Sequence, residues 1–281
     1  MSDHSQVWFI TGASSGFGQA FAMHALDRGF AVVATARDSA RLDALVRQAP
    51  SRVLALPLDV TRPEQVQPAI EAALARFGRI DVLVNNAGYG IVGAVEETST
   101  EELRAVMETM FFGAVAVTRA ALPALRAQGQ GAIVNISSMG GQMSVAGFGA
   151  YSAAKFALEG LSEALAQELA PFGIKVLIVE PGAFRTDFAG GALRHMPELP
   201  AYRAIVGPTH DFARGMHATQ DGDPRKAAAA IEAALAASDT PLRLQLGADA
   251  IAAVRAHAET LLAALGRWEA RGADVRCEPT A

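Results

Sequence analysis

Tyr151 and Lys155, four residues apart, are the side chains of this sequence most suited to moving a proton. They lie in an alanine-rich stretch that predicts a helix, and this separation places both side chains on one helix face. A phenol with a reference pKa of about 10 is a poor base at neutral pH, but a neighbouring cation favours the phenolate. The pair therefore predicts a general acid–base site, with Tyr151 as proton donor or acceptor. Tyr and Lys also occur at this spacing on solvated helix surfaces, so the prediction depends on their surroundings.

Ser138 supplies a hydroxyl group thirteen residues before Tyr151. It follows the apolar run Ile133–Ser137, which predicts a strand, and so lies at the carboxyl edge where open α/β sheets bind ligands. There the hydroxyl can donate to a substrate oxygen and stabilise the negative charge that develops on it. Ser138 is therefore predicted to act beside Tyr151.

A glycine-rich segment, Thr11–Gly18, directly follows the first apolar run. Its glycines permit a tight turn, a close approach of the backbone to a pyrophosphate, and packing of the next helix near the strand. The N-terminus of that helix then offers N–H groups and a partial positive charge to phosphates. Glycine turns are common, but this position between strand and helix favours a dinucleotide site. The residues predicted to bind it are Gly12, Ser14, Ser15, Gly16, Phe17 and Gly18.

Arg37 follows the second predicted strand, which ends at Ala36. Dinucleotide sites usually carry an acidic residue near this point to bind the ribose 2′-hydroxyl. A guanidinium binds a 2′-phosphate, whereas a carboxylate repels it, so the sequence favours NADP(H) over NAD(H). The alternative is that Arg37 is a solvated loop residue and that Asp38 only caps the next helix.

Short aliphatic runs alternate along the chain with longer helical stretches, which is typical of a parallel sheet covered by helices on both faces. The predicted strands are Val7–Thr11, Ala31–Ala36, Val53–Pro57, Asp81–Asn85, Ala132–Ser137, Lys175–Glu180 and Leu242–Leu246. The predicted helices are Gly16–Arg28, Ser39–Gln48, Arg62–Phe77, Glu101–Gln128, Tyr151–Ala170, Asp223–Ala237 and Ala248–Ala270. Residues 1–281 are therefore expected to form one α/β domain, a doubly wound Rossmann fold with about seven strands in the order 3-2-1-4-5-6-7.

Two segments depart from this regular alternation. Pro123 lies within the fourth predicted helix, which it should kink or end. Residues 183–221 are rich in Gly, Pro, His and Phe and lack sustained periodicity, so they are predicted to form a mobile substrate lid.

Composition restricts the partners and the compartment. The formal net charge is −5, and acidic and basic residues are mixed, which argues against nucleic acid or an anionic membrane and for a small-molecule substrate. The one cysteine, Cys277, can form no intrachain disulfide. The N-terminus lacks the features of a secretory signal, and no apolar run reaches about 18 residues, so the expected location is cytoplasmic. The six histidines show no spacing typical of a metal site, and no metal is expected.

Taken together, these motifs resemble the classical short-chain dehydrogenase/reductase family over nearly all of residues 6–265. The resemblance is carried by Thr11–Gly18, Asp59-Val60, Asn85-Asn86-Ala87-Gly88, Ser138, the Tyr151/Lys155 pair, and Pro181-Gly182 with Thr186. Residues 180–188 and 222–224 are similar to a bacterial branch that resembles 17β-hydroxysteroid dehydrogenases, which does not identify the substrate.

This resemblance implies hydride transfer between NADP(H) and an alcohol or ketone carbon. Tyr151 would exchange the proton, Ser138 would steady the oxygen, and Lys155 would tune Tyr151. A homodimer or homotetramer is implied as well, with the helix Tyr151–Ala170 and the one before it able to pack across a dimer interface. By the same resemblance, Asp59 and Val60 flank the adenine, Asn86, Ala87 and Gly88 line the cofactor cleft, Lys155 bonds the nicotinamide ribose, and Pro181, Gly182 and Thr186 hold the carboxamide end.

Met110 departs from the family pattern. Members of the short-chain dehydrogenase/reductase family usually have an Asn three residues before a Gly in this helix. This chain has Met110 three residues before Gly113. That Asn is thought to hold a water linking the active-site Lys to solvent, and a thioether is only a weak acceptor. One interpretation is that proton relay through this position is slow, rerouted or absent. The other is that Met110 fills core space and that other waters serve Lys155. The alternative function is therefore a non-catalytic or weakly active NADP(H)-binding homologue.

Five side chains near Ser138, Tyr151 or the predicted lid are candidates for the wall of a largely apolar substrate pocket. Ordinary core packing is the alternative for each of them. They are Gln142, Met143, Phe148, Phe184 and Phe188.

Overall fold

The computed structural model describes residues 6–277. In chain order its strands are β1 (Val7–Ile10), β2 (Ala31–Ala36), β3 (Val53–Pro57), β4 (Val82–Asn85), β5 (Gly90–Val92), β6 (Gly131–Ile136), β7 (Ile174–Pro181), β8 (Leu193–His195) and β9 (Arg243–Leu246). Seven of these form a parallel sheet in the order β3-β2-β1-β4-β6-β7-β9, and β5 pairs with β8 in a small separate sheet.

Helices cover both faces of the large sheet. They are α1 (Gly16–Asp27), α2 (Asp43–Gln48), α3 (Pro63–Phe77), α4 (Thr100–Met107), α5 (Gly113–Gln128), α6 (Gly149–Leu169), α7 (Arg203–Gly215), α8 (Pro224–Ala236) and α9 (Ala248–Ala273). A π-helical turn, Glu108–Phe112, joins α4 to α5. One core cluster contains residues of α1 and α8, and the other contains residues of α3, α5 and α6.

Strand β1 shows how the sequence specifies two covered faces. All four of its residues are buried; Trp8 and Ile10 point to the core under α1 and α8, whereas Val7 and Phe9 point to the core under α3 and α5. A strand that must be apolar on both faces shows no alternation in its sequence. The predicted doubly wound Rossmann fold, its seven strands and their order are confirmed.

Helix α5 does not end at Pro123 but continues to Gln128. Ala121 and Leu125, on either side of the proline, are fully buried in the core under α3 and α5, and this packing holds the last turns despite the lost backbone hydrogen bond. By length and composition alone, Thr100–Gln128 would suffice to cross a membrane. Here it forms part of the helical layer on the sheet.

The segment 183–221 has more regular structure than its composition predicts. It contains β8 and the thirteen-residue helix α7, which buries Val206, His210 and Ala213 at the spacing of one helix face. Gly207 and Pro208 interrupt that pattern in the sequence and conceal it. His210 Nδ1 lies 2.8 Å from His195 Nδ1 and so ties α7 to β8. The mobility of this segment stays a prediction.

Candidate active site

Thr11 and Asn86 hold the glycine turn against the end of β4. The Thr11 hydroxyl accepts hydrogen bonds from the backbone N–H groups of Asn86 (2.9 Å) and Ala87 (3.0 Å). The Asn86 Nδ2 atom donates to the carbonyl oxygens of Thr11 (2.9 Å) and Gly12 (3.2 Å). These bonds join the β1 turn to the β4 turn, so that both line one cleft at the carboxyl edge of the sheet. The contribution of Thr11 was missed because a hydroxyl inside a glycine motif carries no distinct sequence signal.

Gly12 and Gly18 are required by the shape of this turn. Gly12 has φ +66°, a conformation that side chains disfavour. A Cβ atom on Gly18 would overlap the Gly12 carbonyl oxygen, so only glycine lets α1 start this close to the strand. Within the described residues, the Ser15 side chain caps none of the first N–H groups of α1. Those groups and the half-buried Ser14 and Ser15 fit a diphosphate.

The segment after β7 closes the cleft opposite the glycine turn. A Cβ atom built on Gly16 (φ +54°) would lie 3.4 Å from Thr186 Cβ. Pro181 is the buried last residue of β7, and the Gly182 N–H donates to the Leu246 carbonyl (2.9 Å). The predicted phosphate and carboxamide ends of the cofactor site are thus brought together by the fold.

Arg37 is exposed at the end of β2 and borders a pocket of about 640 Å³ that also contains Asp59 and Arg62. Partial burial raises the pKa of Asp59, but hydrogen bonds from Thr61 and the charges of Arg37 and Arg62 outweigh this and hold its pKa below the usual value. Two guanidinium groups therefore lie on this side of the cleft. Asp38 caps the following turn by accepting from Ala40 N (3.1 Å), as the alternative interpretation expected of it.

Ser138, Tyr151 and Lys155 come together at the carboxyl end of β6. Ser138 begins the turn after that strand, and its hydroxyl lies beside the Tyr151 ring, where it acts to lower the pKa of the phenol. Lys155, one turn further along α6, donates from Nζ to the Ile136 carbonyl (2.8 Å) and lies 5.7 Å from the centre of the Tyr151 ring. Tyr151 and Lys155 are both buried. A phenol, a hydroxyl and an amine thus share one partly closed site.

Burial, rather than the neighbouring cation, dominates the acidity of this site. It raises the pKa of Tyr151 to about 12, against the opposing hydrogen bond with Ser138. Burial also lowers the pKa of Lys155 to about 8, against the opposing charge of Glu159. The expectation that Lys155 brings the pKa of Tyr151 towards neutral pH is therefore not met in this structure, because burial dominates the pKa of the phenol. Tyr151 holds its proton at neutral pH, as a general acid must.

These pKa shifts predict opposite effects of pH on stability. The folded-state pKa of Lys155 lies below its ordinary value of 10.5, so the unfolded chain binds more protons between about pH 8 and 10.5 and this group adds stability as pH rises through that range. Tyr151 has a raised pKa, so its contribution is lost between about pH 10 and 12. Urea unfolding of wild type and Lys155→Met should show their difference in unfolding free energy shifting in favour of wild type from pH 8 to 10. A constant difference across this pH range would contradict the shift.

Met110 borders a cavity of about 10 Å³ beside Lys155, together with Val60, Ala87 and Asn85. This is close to the smallest space that can hold one water. Asn85 Oδ1 is buried and has no hydrogen-bond partner among residues 6–277, although its Nδ2 donates to Thr118 and Asn135. Gly88 lies against the other side of Met110, since a Cβ there would be 3.2 Å from the sulfur. The thioether therefore fills most of the space next to the amine.

Phe148 and Phe188 flank Tyr151, with ring centres 6.1 and 5.8 Å from its ring. The half-buried Met143 follows the turn that carries Ser138. Phe184 is placed differently: it packs on Phe17, at 5.1 Å between ring centres, in the core under α1. Phe148 and Phe188 therefore make the surroundings of the Tyr151 ring apolar.

Gln142 belongs to a buried polar cluster behind the site, which sequence reasoning missed. Its Nε2 donates to Glu159 (3.3 Å) and Glu180 (3.1 Å), and Arg243 Nε donates to Glu159 (2.9 Å) and forms an ion pair with Glu180 (3.2 Å). Burial raises the pKa of Glu159. The amide of Gln142 is thus engaged by carboxylates rather than free for a substrate. Glu159 lies within a predicted helix and Glu180 within a predicted strand. The sequence pattern therefore did not show that the two carboxylates would meet at Gln142.

No group of three or more His, Cys, Asp or Glu side chains within residues 6–277 is arranged to hold a metal ion.

Comparison with known proteins connects this geometry to a family. A model described as short chain dehydrogenase matches residues 6–196. An oxidoreductase of Botryotinia fuckeliana, BOA17, is 40% identical over 94% of this chain and 97% of its own length. A 3-ketodihydrosphingosine reductase of Bacteroides thetaiotaomicron is 41% identical over 86% of this chain and 88% of its own. The crystal structure of a short-chain dehydrogenase from Streptomyces avermitilis is 52% identical, with a TM-score of 0.93 over 97% of this chain and 99% of that one.

Two more distant structures contain nicotinamide cofactors. An alcohol dehydrogenase from Thermococcus sibiricus, complexed with 5-hydroxy-NADP, is 28% identical with a TM-score of 0.70 over 86% of this chain and 95% of that one. A short chain dehydrogenase/reductase from Burkholderia phymatum, in complex with NAD, is 25% identical with a TM-score of 0.78 over 100% of this chain and 99% of that one. With its glycine turn, its site at the end of β6 and a family model matching residues 6–196, this chain belongs to the short-chain dehydrogenase/reductase family of oxidoreductases.

Proposed function

We propose that this chain is an NADP(H)-dependent oxidoreductase that interconverts a ketone or aldehyde and the corresponding alcohol, with Tyr151 as general acid and base. The observation that supports this most strongly is that Ser138 Oγ lies beside the Tyr151 ring at the carboxyl end of β6, one helical turn from Lys155. Two neighbouring hydroxyl groups can both donate hydrogen bonds to one carbonyl oxygen bound between them. The site therefore suits an oxygen that gains negative charge during reaction.

Each residue has a separate task in this proposal. When bound, the reduced nicotinamide supplies the hydride that adds to the carbonyl carbon and reduces the ketone or aldehyde to the alcohol. Tyr151 delivers its proton to the oxygen, and the raised pKa keeps that proton in place until charge develops there. Ser138 donates a hydrogen bond to the same oxygen and so stabilises the developing charge. Lys155 lies close enough for its ammonium to favour the phenolate left behind.

NADP(H) is preferred over NAD(H) in this proposal. Arg37 is exposed next to the end of β2, and Arg62 faces the same pocket. An anionic 2′-phosphate would be attracted by both guanidinium groups, with Asp59 as the opposing charge nearby. The phosphates would lie on the glycine turn, and Thr186 lies opposite Gly16 at the closed side of the cleft.

The substrate is proposed to be apolar around its carbonyl group, because Phe148 and Phe188 flank Tyr151. The names of the relatives from Bacteroides thetaiotaomicron and Thermococcus sibiricus refer to a ketone reductase and an alcohol dehydrogenase, which suits this reaction class. The similarity to 17β-hydroxysteroid dehydrogenases stays a prediction. A cytoplasmic location and a homodimer or homotetramer complete the proposal.

A screen of NADPH oxidation across ketones and aldehydes of increasing apolar size tests the proposal. Turnover should favour apolar ketones and disappear in Tyr151→Phe. NADPH binding, followed by quenching of intrinsic fluorescence, should persist in both proteins. Binding without turnover on any substrate would instead support the alternative of a non-catalytic NADP(H)-binding homologue.

Met110 is the observation that favours the alternative, and it gives a separate prediction. Met110→Asn is expected to raise kcat several-fold at neutral pH, because an amide beside Lys155 offers the donor and acceptor that a thioether lacks. It should also enlarge the cavity next to Asn85 Oδ1, which has no hydrogen-bond partner in the described part of the chain. Met110→Leu, which keeps an apolar side chain of similar size, should leave kcat unchanged. If the Asn variant matches wild type in a steady-state assay, relay through this position does not limit turnover.

A further inference from the structure

Helix α9 leaves the body of the domain. Its first turn is anchored by the fully buried Ala250 and by Asp249, which accepts a hydrogen bond from the chain after β7. From Ala258 to Cys277 every residue is exposed except the half-buried Ala264. In proteins, most of the stability of a helix comes from packing of an amphipathic face rather than from helix propensity. The outer part of α9 therefore lacks, within residues 6–277, the packing that normally stabilises a protein helix.

This outer part carries a regular apolar stripe. Ala258, Leu261, Leu265 and Trp268 follow one another at intervals of three, four and three residues, which is the a/d spacing of a coiled coil. Leu261, Leu265 and Trp268 are 56%, 65% and 60% exposed, and Leu262 at the edge of the stripe is 69% exposed. Contiguous exposed apolar side chains of this size mark an interaction surface.

The order of small and large side chains indicates how a second α9 would fit. In an antiparallel pair centred at Ala263, Ala258 of one copy lies opposite Trp268 of the other, and Leu261 lies opposite Leu265. The ring of each Trp268 then packs against the methyl group of an Ala258, and the side-chain layers of the seam have similar total volumes. In a parallel pair Trp268 would face Trp268 and Ala258 would face Ala258, which leaves one layer crowded and another empty.

The charges beside the stripe favour the same arrangement. In this heptad Ala258 and Leu265 occupy position a, and Leu261 and Trp268 occupy position d. Arg255 and Glu269 then both occupy position e, and antiparallel helices bring the e positions of the two copies next to each other. In the antiparallel pair centred at Ala263, Arg255 of each copy lies beside Glu269 of the other, and the two Leu262 side chains meet between these pairs. A parallel pair gives neither residue an opposite charge at the seam.

We propose that α9 pairs with α9 of a second copy of this chain as an antiparallel two-helix coiled coil through Ala258, Leu261, Leu265 and Trp268. This deepens the homo-oligomer proposed above by naming one of its surfaces. A membrane surface fits less well, because the polar side of the outer helix mixes Glu259 with arginines instead of presenting a uniformly basic face.

Light scattering coupled to size-exclusion chromatography of the full-length chain tests the pairing. The double variant Leu261→Asp/Leu265→Asp should halve the mass of the assembly, since both aspartates fall in the proposed seam. The control Ala256→Asp/Ala263→Asp, on the opposite side of the helix, should leave the mass unchanged. An unchanged mass in the seam variant would overturn the proposal. Contacts between copies through other faces, and NADPH turnover, should persist in both double variants.

Charge exchange and cross-linking test the direction of the helices. Arg255→Glu or Glu269→Arg alone should weaken association several-fold, and the combined variant should restore it.

In a Cys277→Ser background, the Leu261→Cys variant and the Leu265→Cys variant should form a disulfide with each other when the two proteins are mixed and oxidised. Each variant oxidised alone should form little disulfide. Cross-linking of each alone would indicate parallel helices and overturn the antiparallel pairing. Seam-dependent sedimentation with phosphatidylcholine–phosphatidylglycerol vesicles at unchanged mass would assign the stripe to a membrane and overturn it too.

Discussion

Tyr151→Phe is expected to lower kcat for carbonyl reduction by about 10²- to 10⁴-fold, the range over which a positioned general acid contributes. The change removes only the hydroxyl of Tyr151 and leaves the ring between Phe148 and Phe188. Because the ring stays, the fold and the affinity for NADPH should change little. Steady-state kinetics with an apolar ketone, together with NADPH titration, measure the two effects separately.

Tyr202→Phe is the matched control for this variant. Its hydroxyl is also hydrogen-bonded, to Glu96 at 2.7 Å, but this bond is exposed and Glu96 belongs to the segment between β5 and α4. Its loss should leave kcat within about 2-fold of wild type, as expected for a surface substitution. If Tyr151→Phe kept nearly full turnover, the proton would have to come from another group, and the assignment of Tyr151 would be wrong.

Arg37→Ala is expected to raise the KM for NADPH by about 10- to 100-fold, since hydrogen bonds to charged groups contribute about 1.5 to 3 kcal/mol. The KM for NADH should change little, because NADH lacks the 2′-phosphate. Arg37 is exposed and borders the pocket that contains Asp59, so its removal leaves the core intact. Initial rates with each cofactor at a fixed ketone concentration give both values.

Arg41→Ala serves as control, because Arg41 is exposed in the next turn of the chain and does not border that pocket. Equal increases of KM for NADPH and NADH in Arg37→Ala would refute the assignment of Arg37 to the 2′-phosphate. A small effect confined to NADPH would indicate that Arg62, in the same pocket, carries much of the interaction.

The fold and the main candidate residues of the site could be predicted from local patterns along the chain. Buried parallel strands are continuous apolar runs, and the helices between them keep their own period, so both can be recognised locally. The glycine turn, Ser138 and the Tyr151/Lys155 pair follow strands or share a helical turn, so spacing along the chain places them. Their meeting at one sheet edge follows from the parallel arrangement of the strands.

Tertiary structure decided the electrostatics and the packing of the side chains. The pKa of Tyr151 depends on its burial among Phe148, Phe188 and Met196, and that burial raises the pKa although Ser138 acts to lower it. Whether Phe184 faced the substrate or the core depended on Phe17, which is distant in sequence. The engagement of Gln142 by Glu159 and Glu180 likewise needed three separate elements to meet. Such contacts between distant segments have no local period or spacing, so only the folded chain reveals them.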